Sequence, residues 1–251
     1  MRIFLHRFLI TSIVAVALSG RSAWAHHAQE YLVTGSYETL HQGDHFLYLT
    51  EEYDFENADD SSTYHGELTP GWIYGITDAL QGEIHFHVVD PDDEDSEKVG
   101  KDGFIESVAP SLKYRFSKQP HWPVDVAVAA ELEIPTGDGE REGTEDQIRP
   151  HLILRRVWNS RVESTLDLEG RFELSGDRHT EWGLAFATKL ALAPWAAVGT
   201  EFQIPGDDPG VRVVPGLYLS RGRASFKVGV AMGLTSEASD IVVLSTASYH
   251  F

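Results

Sequence analysis

The chain contains no cysteine. An exported protein without disulfides is not a small stapled scaffold, so its stability has to come from an extended hydrogen-bonded framework. Basic residues are scarce as well: 20 Lys and Arg stand against 39 Asp and Glu, for a formal charge of −19. Phosphate backbones are repelled by such a surface, which argues against nucleic acid as a partner. After residue 25 no apolar run approaches the roughly 20 residues that a membrane helix needs. Entry into a membrane would have to be made with strands.

The one long apolar run stands at the start. Arg2 and Arg7, the stretch from Phe8 to Leu18, and Ala23-Trp24-Ala25 supply the basic start, apolar middle and small-x-small cleavage site of a secretory signal over residues 1–25. Its removal takes away three arginines and no acid and leaves His26 at the new terminus. Residues 26–43 form a mature N-terminal segment with weak patterning and a short extended piece around Tyr31 to Tyr37. Whether this segment plugs a lumen is left open. Residues 44–251 read as one all-β unit.

The clearest pattern in that unit runs from Val162 to Leu174. Val162, Leu166, Leu168, Phe172 and Leu174 fall on one face, while Glu163, Thr165, Asp167, Glu169, Arg171 and Glu173 fall on the other. A period of two sorts residues this way and a period of 3.6 does not. At about 3.3 Å per residue the stretch reaches roughly 43 Å, long for a soluble sheet and suited to a tilted membrane-crossing strand.

Similar segments recur with turn residues between them. They are Phe46 to Phe55, Tyr64 to Tyr74, Leu80 to Val88, Phe104 to Phe116, Val124 to Ile134 and Gln147 to Val157, then the stretch just described. Glu181 to Leu192, Ala196 to Ile204, Val211 to Ser220, Ala224 to Gly233 and Ile241 to Phe251 complete the set. The expectation is a single transmembrane antiparallel β-barrel of about 12 strands. Connections after odd strands are acidic or polar and mostly long; those after even strands are tight. This is the two-rim pattern of an outer-membrane barrel, with the acidic rim placed outside the cell. A soluble periplasmic β-sandwich is the structural alternative. Prolines recur within even strands as Thr69-Pro70, Ala109-Pro110, Arg149-Pro150 and Val214-Pro215. Proline removes a ladder donor, so bulges or kinks are expected there.

Several residues are candidates for function. Tyr249 and Phe251 form a terminal aromatic pattern suited to recognition by the barrel assembly machinery. Trp72, Tyr74, Tyr114, Phe116, Trp122, Trp158 and Trp195 gather near the short-turn rim, as an aromatic girdle at an outer-membrane lipid interface does. Glu83, His85, Lys113, Arg115, Arg149, Arg155 and Arg171 share inward positions and would set lumen selectivity or simply neutralise neighbouring charges. His85 and His87 point the same way and form a candidate metal-holding pair, and His26-His27 at the new terminus is a separate copper or zinc candidate, since an amino-terminal histidine offers both its amine and its ring; the alternative for the pair is a polar lumen wall. The acid runs 90–95 and 138–146 read as solvated loops, since no spaced calcium motif is present. Ser175, Asp177 and His179 lie close in sequence, but a triad is defined by geometry and no Gly-x-Ser-x-Gly motif occurs, so an enzyme is not expected.

Tyr74-Gly75-Ile76-Thr77-Asp78, Glu133-Ile134-Pro135-Thr136-Gly137-Asp138-Gly139, the repeated Pro-x-Leu strands and the aromatic ending carry a resemblance. On these motifs the chain resembles the outer-membrane transporter family of the meta pathway of phenol degradation, over most of Phe46 to Phe251. The resemblance implies passage of a small, aromatic or hydrophobic solute. The reading of the whole is a passive outer-membrane channel for a small-molecule solute without a cofactor; the alternative is a non-conducting barrel with a metal-binding or structural role.

Overall fold

The computed structural model describes residues 31–55, 64–89, 105–117, 121–136, 146–174, 179–204, 206, 210–235 and 241–251. The signal segment, His26 and most of the long acidic connections lie outside the described residues.

Alternating apolar and polar residues produce twelve strands: β1 His45–Phe55, β2 Tyr64–Thr77, β3 Leu80–Val89, β4 Ile105–Ser117, β5 Asp125–Pro135, β6 Gln147–Val157, β7 Val162–Glu173, β8 Thr180–Ala193, β9 Ala196–Ile204, β10 Arg212–Arg221, β11 Ala224–Gly233 and β12 Ile241–His250. Each pairs antiparallel with its sequence neighbours, and β1 pairs with β12 from Phe46↔His250 to Phe55↔Ile241, so the sheet closes on itself. Closure leaves no edge strand with unpaired backbone groups. One closed sheet also rules out the sandwich.

The faces fall as the alternation predicts. Leu47, Leu112, Phe186, Leu190, Phe202 and Met232 are exposed on the outside of the wall. A continuous apolar belt of this kind is stable only under a hydrocarbon layer. Trp72, Tyr114, Phe116, Trp122, Trp158 and Trp195 are all exposed toward the short-turn rim. Trp182, 68% exposed, stands toward the opposite rim. One outward charge falls at mid-strand rather than near a rim: Glu51, in the middle of β1, accepts a hydrogen bond from the Ser245 hydroxyl at 3.3 Å across the β1–β12 seam.

The prolines behave differently from the expectation of bulges. Register is unbroken across each one: Pro70↔Leu49, Pro110↔Ile84, Pro150↔Ala130 and Pro215↔Thr200 hold on the side of the preceding strand. On the side of the following strand, pairs are missing at Thr69-Pro70, Ala109-Pro110, Arg149-Pro150 and Val214-Pro215. The physical reason is that a residue's N–H and C=O point to the same neighbour in an antiparallel ladder. A missing donor therefore weakens one seam without inserting a residue. The register shifts lie elsewhere, at Gly75/Thr77, His87/Val88, Arg115/Ser117 and Ala191/Ala193.

The buried apolar core sits inside the barrel and is built on the mature N-terminal segment. Leu40 packs with Phe46, Tyr48 and Ile73; Tyr37 with Ala127 and Ile153; Tyr31 with Ala187 and Tyr218. Leu32 and Val33 pack against Val214, Ala231, Val242 and Leu244. Residues 31–42 are thus a strap across the lumen that pairs with no strand of the wall. Gly43, at φ 87°, turns the chain from the strap into β1, a backbone conformation that favours glycine.

Candidate functional site: a strap across the lumen

The strap crosses the half of the lumen nearest the short turns and is fixed at three levels. At its end, the Gln42 N–H donates to the Asp78 carboxylate at 3.0 Å and the Thr39 hydroxyl to the Asp78 carbonyl at 2.8 Å. The Leu40 N–H donates to Gln81 at 3.2 Å. Asp78 lies in the β2–β3 turn, and the Gln42 N–H, with His41 beside it, holds its carboxyl below the usual range.

In the middle, Glu38 bridges two arginines. Arg115 Nη1 donates to its Oε2 at 2.9 Å and Arg155 Nη1 to its Oε1 at 2.6 Å. Arg155 also holds Glu163 at 2.5 Å. The Tyr37 ring lies under both guanidinium groups at 5.7 Å, and its hydroxyl donates to the Ser117 carbonyl. Lys113 Nζ donates to the Ser36 carbonyl at 2.7 Å.

At the far wall the strap's own amides are collected by carboxylates. The Gly35 N–H donates to Asp167 at 3.0 Å. Glu201, fully buried, accepts from the N–H groups of Leu32, Val33 and Thr34 at 2.7, 3.0 and 2.7 Å and from the Tyr218 hydroxyl at 2.7 Å. Lys227 Nζ donates to the Tyr31 carbonyl at 3.1 Å. Small inward residues on this side, Ala187, Ala197, Gly216 and Gly229 among them, leave the room that Tyr31 and Leu32 fill.

The candidate lumen residues all face inward, but they serve different partners. Lys113, Arg115 and Arg155 hold the strap. Glu83 accepts from the Tyr48 hydroxyl at 2.5 Å and lies 3.6 Å from His85 Nδ1. Arg149 pairs with Glu133 and stands 3.8 Å from Glu131; Arg171 pairs with Glu181 at 3.5 Å. His85 and His87 lie ring to ring at 5.1 Å, and carboxylates already face both: His85 Nε2 is 3.8 Å from Glu131, and His87 meets Glu67. Among the described residues no three ligating side chains gather into a metal-holding group. His26, the acid runs 90–95 and 138–145, and Ser175 and Asp177 lie outside the described residues; His179 pairs with Glu181 at 3.3 Å. Tyr249 and Phe251 are exposed at the short-turn rim, and the His45 ring stacks between Trp72 and Phe251.

Sequence reasoning did not find Glu38, Asp167 or Glu201 as strap anchors. A signal was present for Glu201 and Lys227: each is the lone charge on the inward face of a strand otherwise lined there by small or uncharged residues. A lone inward charge asks for a partner inside the barrel.

No family model matches the chain, and no curated protein sequence matches it. Solved structures do. A KdgM porin aligns at 10% identity with TM-score 0.59, covering 82% of this chain and 99% of that one. The COG4313 outer membrane channel from Pseudomonas putida F1 aligns at 12% identity with TM-score 0.60, covering 88% of this chain and all of that one. These likenesses establish the fold, that of outer-membrane barrels.

Proposed function

We propose that the chain is an outer-membrane channel for a small solute, with its central passage closed by the strap until the strap is displaced. The observation that carries this reading is the way the strap is held. It adds no strand to the sheet; a few apolar side chains seat it, and its backbone and charges are tied to the wall by ion pairs and side-chain to backbone hydrogen bonds, which water or a solute can replace. Ladder pairing, which would lock the segment into the wall, is absent from it among the described residues. The outer apolar belt and the girdle support seating in outer-membrane lipid, and the aromatic ending supports delivery by the barrel assembly machinery. Passage would need no cofactor. The aromatic or hydrophobic character of the solute rests on the resemblance to the phenol-pathway transporters alone.

Two measurements test the reading. The protein recovered from the outer-membrane fraction should change mobility on a denaturing gel when boiled, as closed barrels do. In planar bilayers, a variant lacking residues 26–42 should conduct steadily while the full mature chain conducts rarely. A strap-deleted barrel that folds and stays silent sinks the channel. That result would favour the second reading, a non-conducting barrel with a structural or copper- or zinc-binding role, which the filled lumen supports. Unchanged copper and zinc affinity in His26→Ala, His85→Ala and His87→Ala would end its metal form.

A further inference from the structure

Arg155 points into the lumen, so its neighbour Arg156 points out, and it is exposed on the lipid side of the wall. A base on that side is tolerated only near a rim, where headgroups replace hydrocarbon. Arg156 meets this condition as the next-to-last residue of β6, at the short-turn end. Among the described residues no carboxylate pairs with it. Its guanidinium lies over the Trp158 ring, 4.4 Å from the centroid, and the Trp158 indole N–H donates to the Ser164 hydroxyl at 3.1 Å. The ring is thereby fixed, and the cation stacked on it is held at the surface.

The register carries polarity onward from Arg156. Arg156 stands opposite Ser164, Ser164 opposite Thr188 and Thr188 opposite Thr200, a row of four polar side chains on the outer face of β6 to β9. Longer apolar side chains flank the row, Leu166, Phe186 and Phe202 toward the belt and Val162, Leu190 and Val198 toward the rim. Each flank is two residues away along the strands, about 6.6 Å at 3.3 Å per residue, so the short hydroxyl residues floor a shallow furrow. Thr200 is at mid-strand in β9, so the furrow climbs from the rim into the belt. The Ser164 and Thr188 hydroxyls lie 3.0 Å apart and satisfy each other, which lets hydrocarbon cover them. At the foot of the furrow the turn Trp158-Asn159-Ser160-Arg161 adds a second exposed base and no acid, although the whole chain carries −19.

We propose that the outer wall over β6 to β9 binds one anionic phospholipid, its phosphate on Arg156 and an acyl chain in the furrow. The inference rests on seating in outer-membrane lipid and is independent of conduction. A guanidinium donates two parallel N–H groups to a phosphodiester, and the Trp158 ring fixes the plane from which it does so. Trp158 sits at the depth where indoles favour the headgroup boundary, which sets the height of the phosphate. A zwitterionic head would bring its own ammonium against Arg156 and Arg161 and is disfavoured. The row spans three strand spacings of about 4.8 Å, roughly 14 Å, enough for much of one chain to lie between the two apolar flanks.

The test is native mass spectrometry of the detergent-purified, full mature chain titrated with dioleoylphosphatidylglycerol, and with dioleoylphosphatidylcholine as the zwitterionic lipid of the same chains. Expected is a first phosphatidylglycerol bound at least tenfold more tightly than the first phosphatidylcholine, and at least fivefold more weakly in Arg156→Gln with the boiling-dependent mobility shift retained. Trp158→Leu should weaken it at least threefold and serves if Arg156→Gln does not fold. Arg223→Gln, which removes an exposed base from a different short turn, should leave it within twofold. Equal affinity for the two lipids, no loss in the Arg156 and Trp158 variants, or an equal loss in Arg223→Gln overturns the proposal. Displacement by a tenfold excess of glycerophosphoglycerol, the same head without chains, would assign Arg156 to a free phosphodiester and overturn the lipid. A dimer that Arg156→Gln dissociates would assign the face to a second copy and overturn it as well. The bilayer result is separate: a silent strap-deleted barrel that keeps the phosphatidylglycerol preference would sink the channel and uphold this site.

Discussion

Glu201→Gln isolates the strap from the barrel wall more cleanly than any other single change. The carboxylate is fully buried and collects three consecutive strap amides and the Tyr218 hydroxyl. Hydrogen bonds to a charged group are each worth about 1.5–3 kcal/mol. A carboxamide of the same shape keeps one acceptor oxygen but turns the other position into a donor facing strap N–H groups. Losing two charge-assisted bonds at the low end of that range costs about 3 kcal/mol, or about two decades in the ratio of seated to released strap. Single barrels in planar bilayers should therefore show an open fraction about a hundredfold above that of the parent protein, approaching the strap-deleted form. Protease added from the short-turn side should clip the N-terminal segment correspondingly faster, with the barrel's boiling-dependent mobility unchanged. An open fraction within threefold of the parent, in a protein whose strap deletion does conduct, would refute the claim that Glu201 anchors the closure.

Three further changes have worked directions. Gly35→Val places a side chain into the Asp167 carboxylate and within 3.1 Å of Ile153 Cδ1, and it displaces the N–H that bonds Asp167; a loss of about 2 kcal/mol in strap seating should appear as faster N-terminal proteolysis. Glu51→Leu removes an outward carboxylate from the middle of the apolar belt and should stabilise the barrel by about 1 kcal/mol in urea unfolding from lipid vesicles, since acids on a lipid face cost less than the 2–4 kcal/mol of a base. Asp78 has its carboxyl held below the ordinary value of about 3.9, so its hold on Gln42 is complete above that value and is lost only as pH falls through the lowered one. From pH 8 to 5 proteolysis of the strap should not respond to Asp78, whereas Asp78→Asn should raise it at pH 7.

The barrel was legible in the sequence for a reason that the strap was not. Each strand lies between lipid and a polar lumen, so burial imposes a strict alternation, and β7 shows it residue by residue from Val162 to Glu173. The same alternation placed Lys113, Arg115 and Arg155 on the inner face, since inward and outward positions follow from parity alone. It said nothing of what those cations meet. The strap has no period because it forms no ladder: Tyr31, Leu32, Tyr37 and Leu40 pack against side chains from strands distant in sequence. Its anchors are equally non-local, with Glu38 reaching β4 and β6 and Glu201 reaching back to residues 32–34. The prolines failed as a bulge signal for a related reason. A missing donor affects only the neighbour its N–H would have faced, and the register on the other side, fixed by the inward and outward alternation, overrides it. What propagates along one strand is thus readable in one strand, while closure of the lumen depends on lone charges and small residues. Those acquire meaning only when the wall curves them toward a common axis, and it is at that axis that Glu201, Asp167 and the Arg115–Glu38–Arg155 bridge hold the strap across the lumen.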